Sequence, residues 1–352
     1  MSHSQNKPLA IKIGKIVISE KSPTVIIAEV ACEHRGSMTS AKSLIKAAKD
    51  AGADIVKFQL HVPEAEMVSG KIKFWAGSMD EVLKEVNFEK PEQHLELKNY
   101  CKKIGIQYLC TPFCIAAADI LEKVGVDGYK IGSGELTNFP MMRYIARKRK
   151  PMIISTGMSM LKEIADTVQV LKEEKADFVL MHCVSEYPAK YEHLNLGLIP
   201  FLRERFNVIV GYSDHTTEIY PAVAAVVLGA KVIEKHFTIK DLRGPDSLFS
   251  LDQTQFRQMV DAIRNIEKAL GNEKKISKDE QVVRNWAAHS VVAGRDIKKG
   301  EKLTLQNLMP KRPGSGIPAK FLDKKYSSKL LVKKARCDLP KNTILKWNDI
   351  MI

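Results

Sequence analysis

Residues 208–237 read VIVGYSDHTTEIYPAVAAVVLGAKVIEKHF, and the order of elements within them decides the fold. The apolar runs Val208–Tyr212 and Lys231–Phe237 are strand candidates, and the segment between them has helical patterning. Two strands joined through a helix lie parallel, because a parallel pair needs a long crossover. The same alternation continues towards the N-terminus. Strand candidates at Val25–Val30, Asp54–Gln59, Ile106–Cys110, Gly128–Gly132, Met152–Thr156 and Phe178–Cys183 bring the count to eight, and an eighth helical segment, Leu251–Leu270, follows the last. Ser40–Ala51 shows the helical period plainly: Leu44, Ile45, Ala47 and Ala48 share one face, lysines lie opposite, and Gly52 ends it. Eight strand–helix units in about 250 residues is the size of a closed (β/α)8 TIM barrel. An open doubly wound sheet is the structural alternative, but no Gly-x-Gly-x-x-Gly follows any strand.

Around this frame the chain reads as a barrel over residues 1–270, a polar linker over 271–285 and a small, mainly β module over 286–352. Within the module, β-like pieces are expected at Ser290–Ala293, Gly314–Ile317 and Lys329–Ala335. Met1–Ala10 reads as a loose tail, followed by a hairpin over Ile11–Ser19. The stretch His61–Pro91, with Trp75 and Phe88, is too long for a plain strand-to-helix connection and reads as a lid or substrate wall.

No apolar run approaches a membrane span, and the N-terminus lacks the apolar core of a signal peptide. The six cysteines are scattered, most within apolar runs, which suits buried thiols in a reducing cytoplasm rather than a disulfide framework. The net charge is +14, and the residues after Trp286 hold fifteen Lys and Arg against five Asp and Glu. A basic module binds nucleic acid or a membrane surface, steers small anions, or is simply a lysine-rich solvated surface. Stacking on nucleic acid calls for aromatic residues interleaved with basic ones, and the tail has only Phe321, Tyr326 and Trp347. Neither nucleic acid nor membrane is expected as a partner.

In such a barrel the active site lies at the carboxyl ends of the strands. Reactive groups collect there: Glu29; Lys57 and Gln59; Thr111; Lys130, Ser133 and Glu135; Ser155 and Thr156; Ser185, Glu186 and Tyr187; Ser213, Asp214 and His215; Glu234 and His236. One alone reads as a satisfied core group, but so many on one rim do not, since polar groups in apolar strands are costly unless paired or used. Lys57 and Lys130 with the hydroxyls of Ser133, Ser155 and Ser213 make an anion site, suited to a small phosphorylated carboxylate. A Schiff-base aldolase is the competing use of a strand lysine, and Glu29, Glu135 and Glu234 nearby disfavour the neutral amine it requires. His215 and His236 end adjacent strands and suit a divalent transition metal, with Glu234 on the same side of its strand as His236.

Several runs resemble the sialic-acid synthase family. Lys130-Ile131-Gly132-Ser133-Gly134-Glu135 with Asn138-Phe139-Pro140 is similar to its central signature. The likeness extends through Ile27-Ala28-Glu29, Val56-Lys57-Phe58-Gln59, Thr111-Pro112-Phe113, Ser155-Thr156-Gly157-Met158 and Tyr187-Pro188. It continues in Gly211-Tyr212-Ser213-Asp214-His215, Glu234-Lys235-His236-Phe237-Thr238 and Gly244-Pro245-Asp246, and Lys311-Arg312-Pro313-Gly314 resembles its antifreeze-like (SAF) domain. The resemblance implies condensation of phosphoenolpyruvate with an N-acetylated hexosamine aldehyde to a sialic-acid-like sugar acid and phosphate. It implies a phosphoenolpyruvate site from Lys57, Thr111, Lys130, Ser133, Ser155 and Ser213. It implies manganese, or magnesium, cobalt or iron, on His215 and His236, and sugar contacts from Glu29, Gln59, Tyr187 and Asp246. Glu135 and Glu234 would serve proton transfer or orientation. In a homodimer the SAF domain of one copy would cover the other's barrel and bring Arg312 to the acyl group. The chain departs from the family pattern at Glu33, where Asn precedes His-x-Gly, at Ser185, where Asn stands two before the Tyr, and near Ala288, where an aromatic is missing. Glu33 and Arg35 either read a different sugar substituent or form a surface ion pair. The alternatives are another phosphoenolpyruvate-dependent synthase or aldolase acting on a phosphorylated sugar, for which Arg35 and Arg243 are the rim cations, and a non-enzymatic carbohydrate- or nucleic-acid-binding protein.

Overall fold

The computed structural model describes residues 9–74, 77–242 and 244–351. Trp75, Arg243 and the first eight residues of the expected tail lie outside the described residues. Ala10, expected in that tail, pairs instead with Ser19 in an antiparallel hairpin of Ala10–Ile13 and Ile16–Ser19. Gly14 opens its turn at φ +57°, a backbone region that favours glycine.

Eight parallel strands follow: β1 Val25–Ala31, β2 Ile55–Leu60, β3 Gln107–Pro112, β4 Tyr129–Ile131, β5 Met152–Ser155, β6 Phe178–Cys183, β7 Ile209–Asp214 and β8 Val232–His236. Ladders join them in the order β3-β2-β1-β8-β7-β6-β5-β4. β3 and β4 lie side by side and close the ring, without a ladder between them among the described residues. The barrel expected from the alternation is present, with β6 at the expected bounds and the other strand ends within two residues of those expected.

Eight helices follow the strands: α1 Met38–Asp50, α2 Pro91–Ile104, α3 Ile115–Val124, α4 Phe139–Ala146, α5 Leu161–Glu173, α6 Leu198–Phe206, α7 Tyr220–Val227 and α8 Gln253–Ala269. Local chemistry sets their ends. Ser37 accepts from the Ser40 amide at 3.3 Å, so α1 starts two residues before the expected point. Asp252 and Gln255 form a reciprocal cap that starts α8.

Strand alternation sorts the core into two layers. Outward residues such as Ile26, Val56, Phe58, Tyr108, Ile154 and Val210 pack under the helices. Inward residues Val25, Ile27, Ile55, Leu109, Ile153, Val179, Met181, Ile209 and Val232 fill the lower barrel, joined by Ile11, Ile13 and Ile18 of the hairpin. The hairpin thereby stoppers the N-terminal end. Burying each such side chain contributes about 1.5–3 kcal/mol.

The stretch after β2 forms a short helix Pro63–Glu66, a two-residue hairpin of Lys73–Phe74 with Gly77–Ser78, and a helix Met79–Val86. It returns at Asn87, which donates to the His61 carbonyl at 2.7 Å and accepts from the His61 amide at 3.3 Å. Phe88 is buried and stacks flat on His34, with centroids 4.2 Å apart.

A second compact unit spans Asn272–Ile352. The segment read as a linker is helical over Lys278–Ala287, started by Ser277 capping the Glu280 amide. Ser290–Ala293 pairs antiparallel with Leu308–Lys311, and Lys334–Ala335 with Ile350–Met351, over a small core that includes Val291, Leu303, Leu308, Leu339 and Leu345. Two expected β pieces differ. Gly314–Ile317 forms no ladder and is held by single bonds, Val291 N to Ile317 O at 2.7 Å and Ile317 N to Leu345 O at 2.8 Å. Only the end of Lys329–Ala335 is a strand, because Ser327–Lys329 curls into a 3-10 turn. The three tail aromatics pack edge-on, Phe321 against Trp347 at 5.0 Å and against Tyr326 at 6.3 Å.

Candidate active site

The site arises from one regularity: two residues beyond an inward position of the lower barrel, the strands turn polar. Glu29 follows Ile27, Lys57 follows Ile55, Thr111 follows Leu109, Ser155 follows Ile153, Cys183 follows Met181 and Glu234 follows Val232. A period of two keeps all of them on the inner face. Lys130 does the same between outward Tyr129 and Ile131. Together they line a cavity of about 310 Å³ at the carboxyl end of the barrel. Of the sixteen residues expected in the site, fourteen line it: Glu29, Lys57, Gln59, Thr111, Lys130, Ser133, Glu135, Ser155, Ser185, Tyr187, Ser213, His215, Glu234 and His236.

Three other rim residues do not. Thr156 and Asp214 sit one residue out of phase with the inner face: Thr156 bonds the Met181 carbonyl at 3.0 Å, and Asp214 ion-pairs with buried Lys235 at 2.7 Å. Glu186 turns away to His193 at 2.9 Å.

Four charges dominate the floor. Lys57 Nζ lies 2.6 Å from Glu29 Oε2, an ion pair without ordinary hydrogen-bond angles at that oxygen, and donates to Thr111 Oγ1 at 3.1 Å. Lys130 donates to Ser155 Oγ at 2.6 Å and to the Ile131 carbonyl at 3.2 Å. Glu234 Oε1 is 3.8 Å from Lys57 and 3.7 Å from Lys130, beyond hydrogen-bond reach of either, and accepts from Ser213 at 3.1 Å. An ammonium has three N–H groups. Each lysine therefore keeps one without a protein acceptor at hydrogen-bond distance among the described residues. Burial works against the Lys57 charge, but Glu234 and Glu29 outweigh it and hold its pKa above the usual lysine value, the wrong state for an amine nucleophile. Burial wins at Lys130 and lowers its pKa, with Glu234 opposing. Burial, with Glu66 adding, pushes the Glu135 carboxyl up to about 7, and its Oε2 has no partner.

His215 and His236 converge as expected, with ring centroids 5.5 Å apart. His215 bonds the Val184 carbonyl through Nδ1 at 2.7 Å, which places a proton there; burial works against a charged ring, but Cys183, that carbonyl and Glu234 outweigh it and raise the His215 pKa. Burial, reinforced by His215, holds the His236 pKa well below the usual value, so this ring is neutral, and its buried Nδ1 has no hydrogen-bond partner. Neutral His236, and His215 once Nε2 gives up its proton, suit a divalent ion. Among the described residues no group of three or more His, Cys, Asp or Glu side chains is arranged to hold a metal, so water or substrate would have to complete the shell.

Asp246 is not on the cavity wall but lies beside it, Oδ2 being 3.5 Å from His236 Nδ1; burial, then Glu33 and Glu29, push its carboxyl up to about 7. The role of Glu33 is now visible. Its carboxylate is fully buried and accepts from the Asp246 amide at 2.6 Å, Ser247 Oγ at 2.6 Å and Thr238 Oγ1 at 2.9 Å, while Arg35 is exposed. The surface-pair reading is therefore replaced by a tie that holds the loop carrying Asp246. Glu33→Ala is expected to speed exchange of the Asp246 amide proton about ten- to hundredfold, since a charge-assisted bond is worth about 1.5–3 kcal/mol. Hydrogen exchange followed by NMR reads this, and an unchanged rate would remove the tie. Arg312 belongs to the second unit, where its guanidinium lies 5.9 Å from the Trp286 ring centre.

Cys183 was legible only as a buried thiol. The inner-face period places its Sγ in the cavity, 3.8 Å from Ser133 Oγ and 3.9 Å from His215 Nδ1.

Comparison with known proteins shows the family. Residues 44–275 match the NeuB family and residues 288–351 the SAF domain. The chain is 41% identical over 308 residues to N,N'-diacetyllegionaminic acid synthase of Campylobacter jejuni, covering 84% of this chain and 92% of that one. It is 39% identical over 349 residues to pseudaminic acid synthase of the same species, covering 96% and 99%. Among solved structures, N-acetylneuraminic acid synthetase of Leptospira borgpetersenii superposes with a TM-score of 0.71 at 31% identity, over 78% of this chain and 95% of that one. By its matched length, its eight-stranded barrel and these relatives, the chain belongs to the NeuB family of synthases and carries a SAF domain after the barrel.

Proposed function

We propose that the chain condenses phosphoenolpyruvate with an N-acetylated hexosamine aldehyde, giving a sialic-acid-like sugar acid and phosphate. The observation that carries this is the pair of buried ammoniums, Lys57 and Lys130, each with an N–H to spare in a cavity also lined by Thr111, Ser133, Ser155 and Ser213. A small anion with several charged oxygens satisfies those donors together. The relatives named as synthases of legionaminic and pseudaminic acid support the product class.

In this reading the lysines and hydroxyls bind the carboxylate and phosphate, while Gln59, Glu29, Tyr187 and Asp246 face the sugar. A divalent ion held by His215 and His236, manganese first and magnesium, cobalt or iron after it, would supply Lewis acidity at the aldehyde oxygen. The methylene carbon of phosphoenolpyruvate bonds to the aldehyde carbon, whose oxygen takes up a proton. Positive charge develops at the enol-ether carbon, and ionised Glu234 faces it. Water adds there and gives its proton to Glu135, whose pKa near 7 suits the exchange. The tetrahedral carbon then breaks its bond to the phosphate oxygen as its hydroxyl oxygen forms the keto group, the hydroxyl proton leaves with the phosphate, and Lys57 and Lys130 stabilise the departing charge. Two copies pair in this reading, Arg312 reaching the acyl group in the other copy's cavity, and the site of action is the cytoplasm. Of the two rim cations on which a phosphorylated acceptor would depend, Arg35 is not on the cavity wall and Arg243 lies outside the described residues.

Phosphate release from phosphoenolpyruvate, measured against a panel of N-acetylated hexosamines with and without chelator, tests the proposal. Release is expected only with both a sugar and a divalent ion, and added manganese restores chelated enzyme. Release that needs neither would sink it.

A further inference from the structure

A continuous chain of polar contacts leaves the cavity and ends in the stretch inserted after β2. It begins at Lys57, whose ammonium sits 2.6 Å from Glu29 Oε2. The other oxygen, Glu29 Oε1, accepts from Gln59 Nε2 at 2.9 Å. Gln59 Oε1 lies 3.3 Å from His61 Nε2, and His61 Nδ1 lies 3.0 Å from both oxygens of Glu66. One turn of helix, Pro63–Glu66, brings Glu66 back over the ring. His61 is itself buried, stacked on Phe113 at 4.0 Å, with its backbone tied to Asn87 on both sides.

Hydrogen-bond complementarity constrains the protons along this chain. Burial raises the Glu29 pKa, and Lys57, 2.6 Å away, opposes it and favours the carboxylate; a carboxylate can only accept, so Gln59 turns its NH2 towards it. The amide oxygen then faces His61, so Nε2 must carry a proton. The Glu66 carboxylate likewise requires a proton on Nδ1. An amide turned the other way would present its oxygen to Glu29 and demand a proton there, in conflict with Lys57. We infer that His61 and Glu66 are positioning residues: His61, held as an imidazolium by Glu66, locks the Gln59 amide with its NH2 towards Glu29. The start of the insertion thereby sets the hydrogen-bonding face that the cavity shows to the sugar. This rests on the proposed function only in naming the sugar as what Gln59 meets.

Two measurements test it. In the full-length protein without substrate, the 15N spectrum of the His61 ring, identified by its loss in His61→Phe, is expected to show both nitrogens protonated at neutral pH. Glu66→Gln is expected to turn the ring neutral. A neutral ring in the unaltered protein, or one indifferent to Glu66→Gln, overturns the inference. In turnover, His61→Phe keeps the stack on Phe113 but frees the amide. It is expected to raise KM for the acceptor sugar about tenfold, the worth of one hydrogen bond, and to leave KM for phosphoenolpyruvate within about twofold. Equal changes in both, or none, also overturn it. If the unaltered chain releases no phosphate with any sugar, the proposed function fails while the 15N result still decides the inference. A neutral ring in an active chain sinks the inference alone.

Discussion

His236→Ala is expected to cut condensation by roughly a thousandfold or more while the chain stays folded. Losing one of only two imidazoles removes half of the proposed protein donor set, and Lewis-acid stabilisation is worth several kcal/mol, each 1.4 kcal/mol being tenfold in rate. The fold should tolerate the change. His236 Nδ1 has no hydrogen-bond partner, so truncation orphans nothing there, and the backbone bond from the Leu251 amide to the His236 carbonyl at 2.9 Å remains. Phosphate release and a thermal scan on the same sample read both halves. Near-normal turnover would remove His236 from the site, and a collapsed thermal transition would make the loss a folding effect.

The residue just before His236 in the strand, which faces away from the cavity, gives the opposite result. Lys235→Met is expected to destabilise the barrel by about 3–5 kcal/mol, because it leaves a buried carboxylate without its partner. Lys235 and Asp214 are both fully buried, and the ammonium bonds Asp214 Oδ2 at 2.7 Å, the Thr216 carbonyl at 2.6 Å, Thr216 Oγ1 at 3.1 Å and the Glu218 carbonyl at 2.9 Å. These bonds fold the segment after His215 back onto β8. For a domain of this size the loss corresponds to a fall in thermal midpoint of about 6–20 °C. Adding Asp214→Asn should restore part of it, since the stranded charge is then gone. A midpoint unmoved by Lys235→Met would show that the pair contributes nothing net.

These two residues also mark what the sequence could and could not reveal. His236 was legible because it ends an apolar strand beside another that ends in His215, and a period of two gives the side it faces. The same counting finds Glu29, Lys57, Thr111, Ser155 and Glu234, and would have found Cys183 had the sulfur been counted as polar. It also separates Asp214 and Thr156 from the cavity, a distinction that depends on phase along the strand and not on nearness to its end. Contacts made by loops were beyond it. Glu33 lies 213 positions from the Asp246 amide that it holds, and nothing local announces the meeting. His61 and Glu66 are close in sequence, but their alignment depends on a single turn after Pro63 and on Asn87 returning to tie the backbone. In the second unit, Leu308–Lys311 contains Pro310, which argues against a strand from sequence alone and is tolerated in this short two-stranded pair.

Because β8 pairs with β1, residues 232–236 must find residues 25–29 before the ring exists. During synthesis the first seven strands therefore wait with an open edge, the state most prone to pairing with a neighbouring chain. The eighty-one residues of the second unit are still to be translated once the barrel sequence is complete. At ordinary elongation rates that takes roughly 4–16 s. The ribosome thus holds each nascent barrel apart from its neighbours for several seconds after its last strand is made. A shortened chain ending at Gly271 would lose that interval, so its yield at high expression should fall for a kinetic reason even where its finished barrel is stable.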